Sequence, residues 1–580
     1  MPNVFPRTRG ATGSPCGSSP IAARAAIGLA CAFFGLAGCT GVVSDGGHLH
    51  GVPGSGGGAT ALGPSGPSGP ANGGSGSAPV DPTDPGRVVM RRLNVTEYDN
   101  TVHDLFATDI KLPSAFPPDD SAYGFDNVAQ ALSVTDVHVG YYFATAKQIS
   151  AEALSASRRS AFVKCDLAAQ RETCVQSTLK TFLPRAWRRP VTDDELSRLV
   201  AVYTKNKLNG ASDDEALGRV IQAALLAPEF LFRIEYNHGS AGPRPLDGYE
   251  LASRLSYFLW STMPDDELFA AAAADKLSQT DDLKAQVARM LADPKAAALR
   301  NFGEQWLPVR SLADVRPDPT IFPSWDEDLR SAMQQETSLL FGDVVSGALP
   351  MNQLLTANYS YLNDRLARHY GLPLVGSATP VRTPVPEGRG GLLTQGSWLT
   401  VMAHPNETAP VLRGKWILNQ LLCVEIAPPP PDVPQEPEAM AGQSRRERLA
   451  AHRTQPLCNA CHGLMDPLGL GLEQYDGIGA YRTSDLGAAI DPSGTTPDGT
   501  AFSKPREMEQ VLSTSTAFPR CVTERAFVYG LGRADRPDSL DSKIIDDAAA
   551  EFVSNGQKFP ALIESLIVSS AFRQRQDVLN

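Results

Sequence analysis

The stretch that most constrains this chain is Cys458-Asn459-Ala460-Cys461-His462, followed by Gly463-Leu464-Met465-Asp466-Pro467-Leu468-Gly469. Two thiols three residues apart on one helical turn can each add to a vinyl group of haem. The adjacent imidazole then lies under the iron as an axial ligand, which is the attachment signature of a c-type haem. The expectation is one covalent haem c, with Cys458 and Cys461 as the attachment points and His462 on the iron. Two other uses of the motif compete. Cys458, Cys461 and His462 with His452 make a four-donor zinc set, and Cys458–Cys461 can close as a simple disulfide.

Haem attachment needs export, and the start of the chain provides for it. Arg7, Arg9 and Arg24 precede an apolar stretch from Ala25 to Leu36, which runs into Leu36-Ala37-Gly38-Cys39. A basic start, a short apolar core and small residues at a cut site make a secretory signal. The apolar core is shorter than the roughly 20 residues a membrane span takes. Leu-Ala-Gly-Cys resembles the bacterial lipobox, which implies cleavage and lipidation at Cys39, with membrane contact through the acyl chains. An ordinary cleaved signal with an unmodified Cys39 is the competing reading. Residues 40–87 are rich in Gly, Ser and Pro and read as a flexible tether. The expected location is the cell envelope, lipid-anchored in the periplasm or at the outer membrane.

The chain has 580 residues, 52 basic against 64 acidic, and a net charge of −12, which argues against nucleic acid as a partner. Hydrophobic residues make up 42% of it, enough for a sizeable core. Cys16 and Cys31 leave with the signal. Beyond Cys39 and the haem pair, Cys165, Cys174, Cys423 and Cys521 remain, an even number in an oxidising compartment. The expected pairs are Cys165–Cys174 and Cys423–Cys521, with other connectivities open. No G-x-S-x-G, H-E-x-x-H or phosphate-binding loop occurs.

From residue 88 onward the pattern is helix after helix, mainly α, with no alternation that reads as a strand. Helices are expected up to Phe106 with Asn94 or Thr96 as cap, over Asp136–Leu154, after the capping box Thr192–Glu195, and over Ala216–Ile234. Others are expected over Asp247–Trp260, Leu283–Leu291, Ala297–Trp306, Trp325–Leu340, Arg445–His452, Pro505–Leu512, Arg520–Leu531 and Phe559–Ile567. Pro428–Pro431 is a rigid spacer before the haem segment, and Leu472–Arg482 is expected to close a pocket wall behind it. His103 reads first as an ordinary histidine and second as a ligand, and Arg185, Arg188 and Arg189 read first as partners of local acids and second as an anion site.

An axial histidine takes either a second protein ligand, for electron transfer, or an open position, for chemistry on a small molecule. Met508, 46 residues after His462, is the candidate second ligand, although its helix also suits a core methionine. Met402 and His404 are runners-up, with His452 behind them. Met465 reads as packing against the porphyrin edge. Asp466, Glu473 and Asp476 read first as caps of the turns around Pro467–Gly469, and second as groups that tune the potential or bind a cation.

Arg92–Phe106 with Gly124–Asn127, Phe182–Thr192, Leu246–Trp260, Pro410–Pro434 with Cys458–Arg482, and Arg520–Arg533 occur in this order. Together they resemble a family of secreted proteins of planctomycetes and myxobacteria, built from the domains of unknown function DUF1587, DUF1595, DUF1592, DUF1588 and DUF1585 around a cytochrome c-like segment. The resemblance implies helical domains over 88–158, 159–240 and 241–370, a DUF1588-like domain with the haem segment over 371–500, and a helical domain over 501–580. Where many relatives carry a small residue this chain has Cys423, which favours its pairing with Cys521. The functional expectation is a haem protein that passes electrons to a partner protein, or the haem-bearing part of an oxidoreductase acting on a small molecule. A non-enzymatic envelope scaffold with a structural Cys motif is the alternative.

Overall fold

Helix starts are written into the chain as short polar caps. Asn94, Thr192, Ser212 and Asp247 each accept from the backbone N–H three residues on, and a Glu at that position returns the bond. These boxes satisfy otherwise orphaned N–H groups and put a carboxylate at the positive end of the helix dipole. They launch Val95–Phe106, Asp193–Leu208, Asp213–Leu226 and Gly248–Trp260.

The computed structural model describes residues 84–86, 90–239, 241–427, 442–454, 456–536 and 539–578, except for the side chains of Ala451, His452 and Leu457. All of these fall within one compact unit, Gly76–Asn580. The expected signal, Cys39, nearly all of the expected tether and the polyproline spacer lie outside the described residues. Among the described residues there are 23 α-helices, so the fold is mainly α. No helix among them is long and apolar enough to cross a membrane.

Two large apolar cores and a small one organise the helices. The N-terminal helices, from Val95 to Leu226, pack around Leu93, Tyr98, Tyr142, Leu183 and Ile221. The Cys165–Cys174 disulfide lies at the edge of this core. The main core draws on the chain from Phe125 to Phe572, so residues on either side of the C-x-x-C-H stretch share one interior. Phe302 stacks between Trp306 and Phe559 there, with ring centroids 5.6 and 5.7 Å away. Leu312, Leu329, Met333 and Leu366 form the third.

Buried arginines fasten the segments between cores. Arg91 meets Glu97 at 2.7 Å, Arg254 meets Glu235 at 2.6 Å and Arg533 meets Asp541 at 2.8 Å. Each of these three cations meets a buried carboxylate, which offsets the cost of its desolvation.

Three expectations are corrected. Strands do occur, as five antiparallel pairs of two to four residues each. Gln574–Asp577 pairs with Gly242–Pro245, and Arg91–Arg92 with Phe232–Arg233. Strands this short have no room for alternation. The helix expected through Ile234 ends at Leu226 because Ala227, ahead of Pro228, is forced extended at ψ 144°. The Leu540–Ser554 helix was missed altogether. Asp266–Ala273 and Asp364–His369 are further helices outside the expected set, and elsewhere ends shift, as where Ala297–Trp306 begins in a tighter 3₁₀ turn over Pro294–Leu299 before the α-helix Arg300–Trp306.

Candidate functional site

The C-x-x-C-H residues sit on the helix Pro456–Leu470. A proline suits its start, where the missing N–H has no intrahelical partner to lose. The helix is gripped on one side by the helix Pro410–Trp416. A Cβ on Gly414 would lie 1.9 Å from the carbonyl oxygen of Met465, and one on Gly469 would lie 1.8 Å from that of Pro410. Two glycines therefore let two backbones touch, one from each helix. Met465, Leu468 and Leu470 are buried on that inner side.

The outer part of the same helix stays partly open. Cys458, Cys461, His462 and Leu464 are all partly exposed, with Cys461 and Leu464 resting against the main core. Both thiols stand outside the two disulfides. His462 Nδ1 lies 3.0 Å from Oδ1 of Asp466, one turn on, and that carboxylate is fully buried. Arg453 Nε lies 3.7 Å from its other oxygen. Pro467, inside the helix, has no N–H to give the carbonyl one turn back.

Behind the helix, Glu473 anchors an arginine cluster that sequence reading missed. Arg482 reaches its Oε2 at 3.0 Å, Thr408 donates to the same oxygen at 2.8 Å, and Arg413 and Arg445 stand at 3.7 and 3.8 Å. Arg445 also pairs with Glu407. Arg413 donates to the carbonyls of Leu472, Tyr475 and Asp476, so one guanidinium holds the loop that leaves the helix. Burial pulls Arg413 down to about 10 despite Glu473 beside it. The available signal was an arginine amid small and apolar residues, Pro410-Val-Leu-Arg413-Gly.

The three carboxylates near the motif take three different parts. Asp476 caps its loop, accepting from the N–H groups of Ile478 and Ala480 at 2.9 and 2.8 Å. Glu473 is the arginine hub and Asp466 the partner of His462, where turn caps were expected. Gln474, Tyr475 and Tyr481 of the expected wall segment line a cleft of about 590 Å³ opposite Tyr370 and Arg506, but Cys458, Cys461 and His462 are not in its lining. Arg389 lies between Tyr370 and Tyr475 there, 4.0 and 4.8 Å from their ring centroids.

Met508 is fully buried in the main core, on a helix packed against Gln353–Thr356 and the strand Ala501–Phe502. Met402 is partly buried against the same core that Cys461 borders, while His404 is exposed. Met465 is buried. His452 has its side chain outside the described residues. His103 is engaged with the Thr108 carbonyl at 2.9 Å. Arg189 pairs with Glu195, six residues on, as expected of a local acid, whereas Arg185 pairs with Asp266, 81 residues on. Arg188 instead donates to the carbonyls of Glu229, Phe230 and Phe232, and so holds the Pro228 break.

The expected disulfide Cys423–Cys521 is present and joins the two sides of the C-x-x-C-H segment. Among the described residues no group of three or more His, Cys, Asp or Glu side chains converges to hold a metal ion. The zinc set would also need His452, whose side chain lies outside the described residues. Haem attachment needs no such cluster, because the thiols bond carbon and a single imidazole meets the iron. The donor set and its spacing on one partly open turn fit that group.

Five family models match the chain in order, each described as a protein of unknown function. They are DUF1587 over 91–155, DUF1595 over 174–235, DUF1592 over 246–372, DUF1588 over 389–485 and DUF1585 over 498–572. No curated protein and no solved structure matches it. With all five models present in this order, the chain belongs to the family built from DUF1587, DUF1595, DUF1592, DUF1588 and DUF1585, and Cys458–His462 lies in its DUF1588 domain.

Proposed function

We propose that the chain is a c-type haem protein of the cell envelope, carried on a lipid anchor at Cys39. On this reading it exchanges electrons with a partner protein or forms the haem-bearing part of an oxidoreductase. The observation that carries the proposal is the helical turn holding Cys458, Cys461 and His462 partly open, with its imidazole already oriented by Asp466. The short name of the DUF1588 model, PSCyt3, points toward a cytochrome in the same stretch.

Haem held there would supply one-electron exchange at its iron. The chain's own residues do the rest. Cys458 and Cys461 anchor the group, and His462 offers a nitrogen to the metal. The clamp at Gly414 and Gly469 keeps the helix rigid, so that the imidazole holds one orientation. Arg413 and the Glu473 cluster fix the loop beyond it. Met508 and Met402 are the candidates for a second ligand.

The test is a pyridine haemochrome spectrum, with haem staining after denaturing electrophoresis, on protein exported alongside a cytochrome c maturation system. A Cys458→Ala/Cys461→Ala variant runs beside it. Covalent haem is expected in the parent alone. Its absence from both would favour the scaffold reading and turn attention to metal analysis.

A further inference from the structure

Asp466 is four residues from His462, a spacing that on an exposed helix gives a weak surface pair. Here the carboxylate is fully buried while the imidazole it holds is partly open. The hydrogen bond at 3.0 Å therefore works in a low-dielectric setting, where charge-assisted bonds are stronger and more directional. The helix that carries both residues cannot easily shift, because Gly414 and Gly469 bring it against a second backbone. Arg453, at 3.7 Å, places a cation on the far side of the carboxylate.

A carboxylate only accepts hydrogen bonds. In the bond to Asp466 the ring must then donate from Nδ1, and a neutral ring that donates from Nδ1 carries its lone pair on Nε2. We infer that Asp466 is a positioning residue for the iron ligand. It selects the His462 tautomer that presents Nε2 to a metal, and by drawing on the Nδ1 proton it makes that nitrogen a stronger donor. A stronger donor favours ferric over ferrous iron, so the midpoint potential is held low. This rests on the haem reading of the same turn.

The experiment has one arm that needs no haem. The full chain is prepared without haem maturation and labelled with ¹⁵N-histidine, and the His462 signals are assigned with His462→Gln. Above neutral pH the parent is expected to show a protonated Nδ1 and a bare Nε2, and Asp466→Ala is expected to move the proton toward Nε2. The second arm measures the midpoint potential of haem-loaded parent and of Asp466→Asn, which keeps the side-chain shape and loses the charge. An upward shift in Asp466→Asn is expected, with covalent haem and melting temperature close to those of the parent.

A proton on Nε2 in the parent, or a tautomer that Asp466→Ala leaves unchanged, overturns the inference whatever the haem assay gives. An unchanged midpoint in folded, haem-loaded Asp466→Asn overturns the claim on donor strength. A parent without covalent haem overturns the haem reading, and with it the effect on iron, while the tautomer arm still decides what Asp466 does to His462.

Discussion

Glu336 is a buried acid with two good hydrogen bonds that still cannot keep it ionised. Ser360 and Tyr370 donate to its two oxygens at 2.5 and 2.6 Å, yet burial pushes it up to about 7 from an ordinary 4.5. Between those values the folded protein binds a proton that the unfolded chain releases. The contribution to stability is therefore present in full below about pH 4.5 and is lost as pH rises through about 7. A gap of this size corresponds to on the order of 3 kcal/mol. Comparison with Glu336→Gln isolates it from Glu509, a second buried acid raised by burial. The advantage of parent over variant in urea unfolding is expected to shrink by that amount between pH 4.5 and 8. A difference that stays flat with pH would mean that Glu336 is ionised in the native protein.

At the scale of elements, the close crossing of Pro410–Trp416 and Pro456–Leu470 depends on Gly414 and Gly469. An added methyl at either place meets a backbone carbonyl, which cannot rotate away as a side chain would. Gly414→Ala is expected to cost about 3 kcal/mol or more, beyond the usual overpacking range, and, on the proposed haem reading, to reduce haem attachment. Gly140→Ala is the control, since its helix position has nothing within 4 Å. There the methyl should stabilise by about 0.5–1 kcal/mol through helix propensity. Equal melting temperatures for the two variants would contradict the contact. Much of this level could be read from the chain. The boxes at Asn94, Thr192, Ser212 and Asp247 are local, and so is C-x-x-C-H. The spacing of His462 and Asp466 was also visible, but not the burial that changes its meaning. Apart from the Leu540–Ser554 helix, much of what escaped depends on distant partners. Glu473 meets Arg413, 60 residues earlier, and the strand Gln574–Asp577 finds Gly242–Pro245 with no alternation to announce either.

For the whole molecule the question is what holds together a body whose main core is shared from Phe125 to Phe572. Its two ends are tied to distant parts of the chain. Arg536 reaches Asp84 at 2.6 Å, and Asp577 near the C-terminus accepts from Arg244 at 3.1 Å. The middle is tied by Cys423–Cys521, which closes 98 residues of chain around the C-x-x-C-H helix, whereas Cys165–Cys174 closes only 9. If disulfides act mainly by restricting the unfolded chain, the long loop is worth about 4–5 kcal/mol and the short one about 2–3 kcal/mol. Cys423→Ala/Cys521→Ala should therefore lose roughly twice the unfolding free energy lost by Cys165→Ala/Cys174→Ala. The two pairs also lie in different cores, Cys174 among the N-terminal helices and Cys521 on a helix whose neighbours Val522 and Phe518 belong to the main one. Unfolding followed by tryptophan fluorescence and by far-ultraviolet circular dichroism tests both points. A larger loss from the short loop would show that local strain or packing, not chain entropy, sets the value of these bonds. Two separated transitions in the Cys423→Ala/Cys521→Ala variant, against one in the parent, would show that this disulfide is what makes the two cores unfold together.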